Sequence, residues 1–388
     1  MKKDHLSSEI LKIFLMSGAV ARPDLIRETG ARAATVLKVI DEMKTAGLVV
    51  EPGRTGIRTG RKAPLLSLNG DHQWTLGIDF QADRIIGVVA DLRGEIVDCV
   101  EKTARHRGTP AACCEEIREV VNALKANHPQ DWHRVKGTGF ADPGLVDSEN
   151  GISLRAVNIP GWENVKTGKW LSTEFGCPAG MWPECLVRTY MEYRTRYGAG
   201  HPPESLFHIS LGEGIGGGFV KDGECFIGAN NRAMEIGHVI VAPDGPLCQC
   251  GNRGCLEALA GINGIRRKVE EVIASGVDTE LALDDFSLER FVSCSRRDKA
   301  ARIIAGEISR SIGTALAVVV TLLNPSVIVL GGETAGLGKL LKSEIRRILS
   351  SSCFGGSVEQ LKIEFSTLDR TATALGAAIL MRDKLLMA

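Results

Sequence analysis

Glu235–Glu257 reads EIGHVIVAPDGPLCQCGNRGCLE. One histidine and three cysteines, His238, Cys248, Cys250 and Cys255, follow the spacing H-x9-C-x-C-x4-C. Gly245, Gly251 and Gly254 let the backbone turn tightly between them. One imidazole nitrogen and three thiolates complete a tetrahedral zinc set, and a closed set of four is the structural kind, with no position left for water. Glu235 stands three residues before the histidine and Glu257 two after the last cysteine. Either the knot only staples a loop, or it also holds these acids for a neighbouring binding site.

With 388 residues, 44% hydrophobic and 24% charged, the chain has the composition of a soluble globular protein of two or three domains. Forty-four glycines and 5% aromatics suit tight βα turns better than an all-β sandwich. The net charge of zero hides an asymmetry. Residues 1–70 carry 12 basic against 7 acidic side chains, and the remainder 35 against 40. Such a head is expected to meet a polyanion while the body does not. Outside the knot stand Cys99, Cys113, Cys114, Cys177, Cys185, Cys225, Cys294 and Cys353. They follow no pairing rule, so free thiols in a cytoplasmic protein are expected. No stretch reads as the ~18 apolar residues of a membrane span, and no membrane partner is expected. The N-terminal ILKIFLMSGAVA imitates a leader, but Lys12 interrupts it and Asp4 and Glu9 precede it.

Residues 1–70 are expected to form a winged helix-turn-helix. Ile10, Leu11, Phe14 and Leu15 recur at helical spacing, Arg22 to Thr29 gives a second helix, and Val36, Val39, Ile40 and Met43 stripe a third. LVVEPGRTGIRTGRKAPLLSL then reads as strand, loop, strand. In a DNA-binding head the third helix enters the major groove, which puts Arg32, Thr35 and Lys38 near the bases. Arg54, Arg58, Arg61 and Lys62 of the wing reach phosphates or a minor groove. The alternative is a head used for protein contacts.

From Trp74 strands alternate with helices, an α/β pattern compatible with two halves around a cleft. LGEGIGGG (Leu211–Gly218) follows a strand and can offer amides to phosphate, although a glycine-rich hairpin looks the same. Glu213 within it opposes a bound polyphosphate.

These residues together carry a family resemblance. The winged head, LGIDF with ADLRGEIV, PGLVD followed by ENG, NIPGW, LGEGIGGG, EIGH, CQCGNRGCLE and NPSVIVLGG resemble the ROK family (repressors, open reading frames and sugar kinases), specifically its repressor branch. The resemblance implies an actin-like, sugar-kinase two-lobed body and zinc on His238, Cys248, Cys250 and Cys255. It also implies that Glu235, His238 and Glu257 contact sugar hydroxyls, with Asn158 of NIPGW as a further contact. Two departures stand out. The kinases' N-D-A-N stretch, whose Asp is the general base, is matched by Pro183-Glu184-Cys185-Leu186. Their phosphate loop D-x-G-G-T is matched by Asp79-Phe80-Gln81-Ala82-Asp83, without glycine and with a second acid.

The expectation is a winged head over 1–70 and a body over 71–388. Lobe 1 spans about 71–185 plus the helix 373–388, and lobe 2 about 186–372 with the knot at 238–255. The expected role is a sugar-responsive transcriptional repressor, a homodimer on a double-stranded operator. Its body has no catalytic residue, Glu184 being a degenerate base position that still faces sugar. The enzyme alternative is an ATP-dependent sugar kinase with a regulatory head.

Overall fold

The computed structural model describes residues 5–51, 64–105, 108–156, 158–197, 203–229 and 232–387. Arg54, Arg58, Arg61 and Lys62 of the wing lie outside the described residues. Two compact units divide the chain, Met1–Pro202 with Asp369–Ala388, and Pro203–Leu368.

The head opens the first unit with helices His5–Ser17, Arg22–Thr29 and Ala33–Thr45. Gly30, in the left-handed region at φ 61°, ends the second helix and turns the chain into the third. Strand Leu65–Leu68 pairs antiparallel with Val20–Ala21 on one side and Val49–Val50 on the other. Ile10, Leu11, Phe14, Leu25, Val36, Ile40 and Met43 are sealed from solvent. The apparent leader is therefore a core helix. The same core takes in Leu92, from the hairpin that follows the head, and Leu386 near the C-terminus. The head is thus not a separate compact unit: apolar area shared with the body ties it down.

The body of the first unit is a five-stranded sheet in the order Ala179–Pro183, Val135–Asp142, Trp74–Phe80, Arg84–Asp91, Ile96–Thr103. The first three strands are parallel, the rest antiparallel. Helix Pro110–Asn127 covers one face through Ile117, Val120 and Leu124, and helix Ala372–Met387 the other through Ala374 and Ala378. Burial on both faces explains why Trp74–Phe80 is apolar almost throughout. The terminal helix lies against the strand backbone: a methyl on Gly77 would sit 1.9 Å from the Ala374 carbonyl oxygen. Gly77→Val must push helix and sheet apart, and overpacking of this kind costs about 1–3 kcal/mol or more. A melting temperature at least ~4 °C below the parent's is expected. A variant that melts with the parent would show that the contact yields freely.

The unit boundary differs from the expectation of about 185. Helix Glu184–Tyr197 stays in the first unit because Val187 and Met191 close on Gly376 of the terminal helix.

The second unit holds another five-stranded sheet, ordered Glu224–Cys225, Ile215–Lys221, Ser205–Leu211, Val327–Gly331, Lys362–Phe365. Helix Lys299–Leu323 is long and apolar enough to cross a membrane by length and composition, contrary to the reading of the sequence. Its apolar residues have another use: Ile304, Ala305, Ile308, Ile312, Leu316 and Val320 are buried in this unit's core, with Leu341, Ile345 and Leu349 of helix Lys339–Ser352 in the same cluster. All eleven cysteines are free of disulfides.

Candidate metal centre and ligand-binding residues

In the second unit the ligand atoms of His238, Cys248, Cys250 and Cys255 lie within 4.8 Å of one another. His238 Nδ1 is 3.8 Å from Cys248 Sγ, and Cys250 Sγ is 3.7 Å from Cys255 Sγ. A tetrahedron with metal–sulfur bonds near 2.3 Å has edges of about 3.8 Å, so the spacing fits a shared metal ion. The backbone builds this cage. Cys248 N–H donates to Asn252 O (2.7 Å), Gly254 N–H to Pro246 O (2.8 Å), and Leu256 N–H to Val239 O (2.9 Å). Gly254 has φ 71°, and a methyl there would come 1.5 Å from the Ala242 carbonyl oxygen, so no other residue fits. Cys248 and Cys255 are buried, while Cys250 reaches solvent.

The flanking acids are held differently. Glu257 lies in the first turn of helix Leu256–Ala260, and its Oε2 accepts the Ile215 amide at 2.8 Å. Glu235 immediately precedes the short turn Ile236–His238 and keeps solvent access. Desolvation holds its carboxyl above the usual carboxylate range; His238 opposes the shift and the like charge of Glu257 adds to it. Met234 before it sits at φ 66°, a conformation rare for a side chain without a short polar group.

The glycine loop is largely a hairpin. Ile215–Lys221 pairs with Ser205–Leu211, and only Gly212–Gly214 turn. A methyl on Gly217 would lie 2.9 Å from Ile236, so the glycine face seats the EIGH segment. At the turn a methyl on Gly212 would be 2.5 Å from Glu333 Oε2. Two carboxylates, Glu213 and Glu333, therefore stand where a phosphate would need cations. Glu333 was not singled out in the sequence; its only signal is its place directly after VIVLGG.

In the first unit the carboxyl ends of three parallel strands carry Asp79, Asp142 and, one residue past Pro183, Glu184. Open α/β sheets place ligands at such ends. Asp79 is 1% exposed, and burial pushes its carboxyl up to about 7, with the Glu184 charge adding and Gln81, Arg84 and Arg188 opposing. Phe80, one residue before the positions where the kinase loop has glycine, is sealed in the core with its ring 4.8 Å from that of Trp162. Glu184 is paired with Arg188 Nε at 3.6 Å. Asn158 stands exposed in the loop between Ile152–Arg155 and Glu163–Val165. In the head, Arg32, Thr35 and Lys38 are all exposed at the start of helix Ala33–Thr45, and Lys38 lies 4.0 Å from Glu42.

The ROK family pattern matches residues 75–384, most of the chain and nearly all of its body. The chain belongs to the ROK family. Among its ROK relatives, the xylose repressor of Caldicellulosiruptor bescii is 25% identical over 97% of this chain and 95% of its own length. A glucokinase of Thermotoga maritima is 30% identical, but over 66% of this chain and 82% of its own. A solved ROK transcriptional regulator, described as a homolog of the Escherichia coli Mlc protein, superposes with a TM-score of 0.84 at 25% identity, covering 98% of this chain and 97% of that one. The body therefore has the two-lobed sugar-kinase-like α/β fold, with a winged helix-turn-helix at its head. The repressor similarity runs through the head as well as the body.

Proposed function

We propose that this ROK protein is a sugar-responsive transcriptional repressor whose body binds a small sugar without phosphorylating it. The observation that carries the reading is the pairing of an intact metal knot with a spoiled phosphate side. Full-length similarity to repressors that share the head supports it. Zinc is the metal proposed for His238, Cys248, Cys250 and Cys255, where it would supply structural cross-linking. With Nδ1 turned to the thiolates, the other ring nitrogen of His238 is left for a sugar hydroxyl, and Glu235 and Glu257 accept from hydroxyls as carboxylates do. On the first unit, Asn158 and Glu184 are proposed as further sugar contacts. No residue is assigned a catalytic role. Gln81 and Ala82 replace the glycines that a phosphate loop needs, and Glu213 and Glu333 put negative charge at the turn that ends the second unit's strand Ser205–Leu211.

Arg32, Thr35 and Lys38 are proposed to read the major groove, with Arg54, Arg58, Arg61 and Lys62 on the DNA backbone. A homodimer fits this role, because two-fold symmetry presents two recognition helices to adjacent half-sites. Operator binding places the protein in the cytoplasm. Sugar acts by binding one of two states more tightly, which shifts operator affinity.

Thermal-shift measurements against D-xylose, D-glucose and N-acetyl-D-glucosamine test the effector. A sugar at ~100 times its Kd adds about 2.7 kcal/mol, several degrees of melting temperature. The same sugar should alter recovery of genomic DNA fragments bound by the protein. ADP release with any of these sugars at ~1 s⁻¹ or faster, an ordinary enzymatic rate, would overturn the non-catalytic reading.

A further inference from the structure

Asp142 ends strand Val135–Asp142 with no exposure to solvent. Its Oδ1 accepts the Gly144 amide at 2.9 Å. Its Oδ2 accepts the Trp162 indole N–H at 3.2 Å and the Ser153 hydroxyl. Ser153 in turn meets the Thr167 hydroxyl at 2.8 Å, and Ser153, Trp162 and Thr167 are all buried. A buried carboxylate with all these donors is a fixed point, because each donor would be left unpaired without it. What it fixes is a loop. Trp162 closes the turn after Arg155 through its carbonyl, which accepts the Ala156 amide at 3.0 Å, and its own amide donates to Ile159 O at 3.1 Å. Asn158 is exposed within that turn, as are Pro160 and Gly161.

We infer that Asp142 is a positioning residue for the effector: by holding the Trp162 indole and Ser153 it sets where Asn158 meets the sugar. The inference rests on the sugar contact proposed for Asn158. Asp142→Asn tests it at nearly constant volume. An amide has one oxygen for the donors that two carboxylate oxygens now serve, so the indole or the Gly144 amide loses its acceptor. The probe is whichever of D-xylose, D-glucose and N-acetyl-D-glucosamine stabilises the parent most, titrated calorimetrically. Asp142→Asn and Asn158→Ala are each expected to weaken its Kd about tenfold, the scale of a lost supporting contact. The double variant is expected to bind no more weakly than the worse single one, because both changes act on one contact. Trp162 emission should shift in Asp142→Asn before any sugar is added. Ile117→Val thins the same core from helix Pro110–Asn127 without touching the Asp142 hydrogen bonds, and it should lower the melting temperature while leaving Kd alone.

Parent-like sugar affinity in Asp142→Asn, beside a weakened Asn158→Ala, would sink the positioning role alone. Losses that multiply in the double variant would do the same. Parent-like affinity in Asn158→Ala would instead remove the contact itself, and the inference with it.

Discussion

Cys255→Ser protein is expected to emerge from purification with little bound metal, a lower melting temperature and no sugar response. Cys255 is fully buried and its sulfur lies 3.7 Å from that of Cys250. A serine hydroxyl there stays protonated at neutral pH and is a poor zinc ligand, so three donors remain around an open position. Structural zinc contributes about 10 kcal/mol or more where it is the chief cross-link of a small domain. Here the knot is one loop of a larger unit with its own core, so part of the loss appears as local opening. A fall on the order of 10 °C is expected, from roughly 3 kcal/mol of global stability. The sugar response goes further, because Glu235, His238 and Glu257 are placed by the same backbone. Elemental analysis of zinc, melting curves and the sugar thermal shift measure the three effects. Parent protein stripped with a chelator should recover all of them when zinc returns, and Cys255→Ser should not. A Cys255→Ser protein that retained full zinc and an undiminished sugar shift would show that the knot neither needs this ligand nor serves the sugar.

The second large effect is a pH dependence that Asp79→Asn removes. Burial raises the Asp79 carboxyl from 3.8 to about 7. The folded protein therefore holds a proton there that the unfolded chain gives up, and linkage makes stability fall as pH rises. The contribution is whole below pH 3.8 and is lost as pH rises through about 7. Three pK units correspond to about 4 kcal/mol. The substituted amide mimics the neutral acid, and its oxygen still accepts the Gln81 amide that Asp79 Oδ1 accepts at 2.7 Å. Relative to the parent, Asp79→Asn should gain several degrees of melting temperature from pH 5 to about pH 7 and level off by pH 8. Melting curves of the two proteins over that range measure the gap. Parallel curves would mean that Asp79 is charged in the folded state.

The knot was legible from spacing alone, since four soft ligands within 18 residues leave few other arrangements. The third helix of the head was legible for the same local reason: Val36, Val39, Ile40 and Met43 form one stripe, and the structure buries all four. LGEGIGGG was ambiguous, because glycine permits both a phosphate cradle and a hairpin. The pairing of Ser210 with Gly216 and Ile209 with Gly217 decides for the hairpin. The apolar helix Lys299–Leu323 shows the same limit in reverse. Composition alone does not distinguish a lipid-facing helix from one buried by its neighbours.

Sequence by itself determined the family, the winged head, the cluster of one histidine and three cysteines and the absence of the phosphate-loop glycines, because each depends on residue type at short spacing. Tertiary structure decided what distance in the chain conceals. It brought Glu333 onto the glycine turn, set Glu184 beside Asp79, joined Leu92 and Leu386 to the head's core, and tied Trp162 to Asp142. Those contacts follow from sheet register and helix packing, which align residues tens to hundreds of positions apart and leave no local mark on either partner.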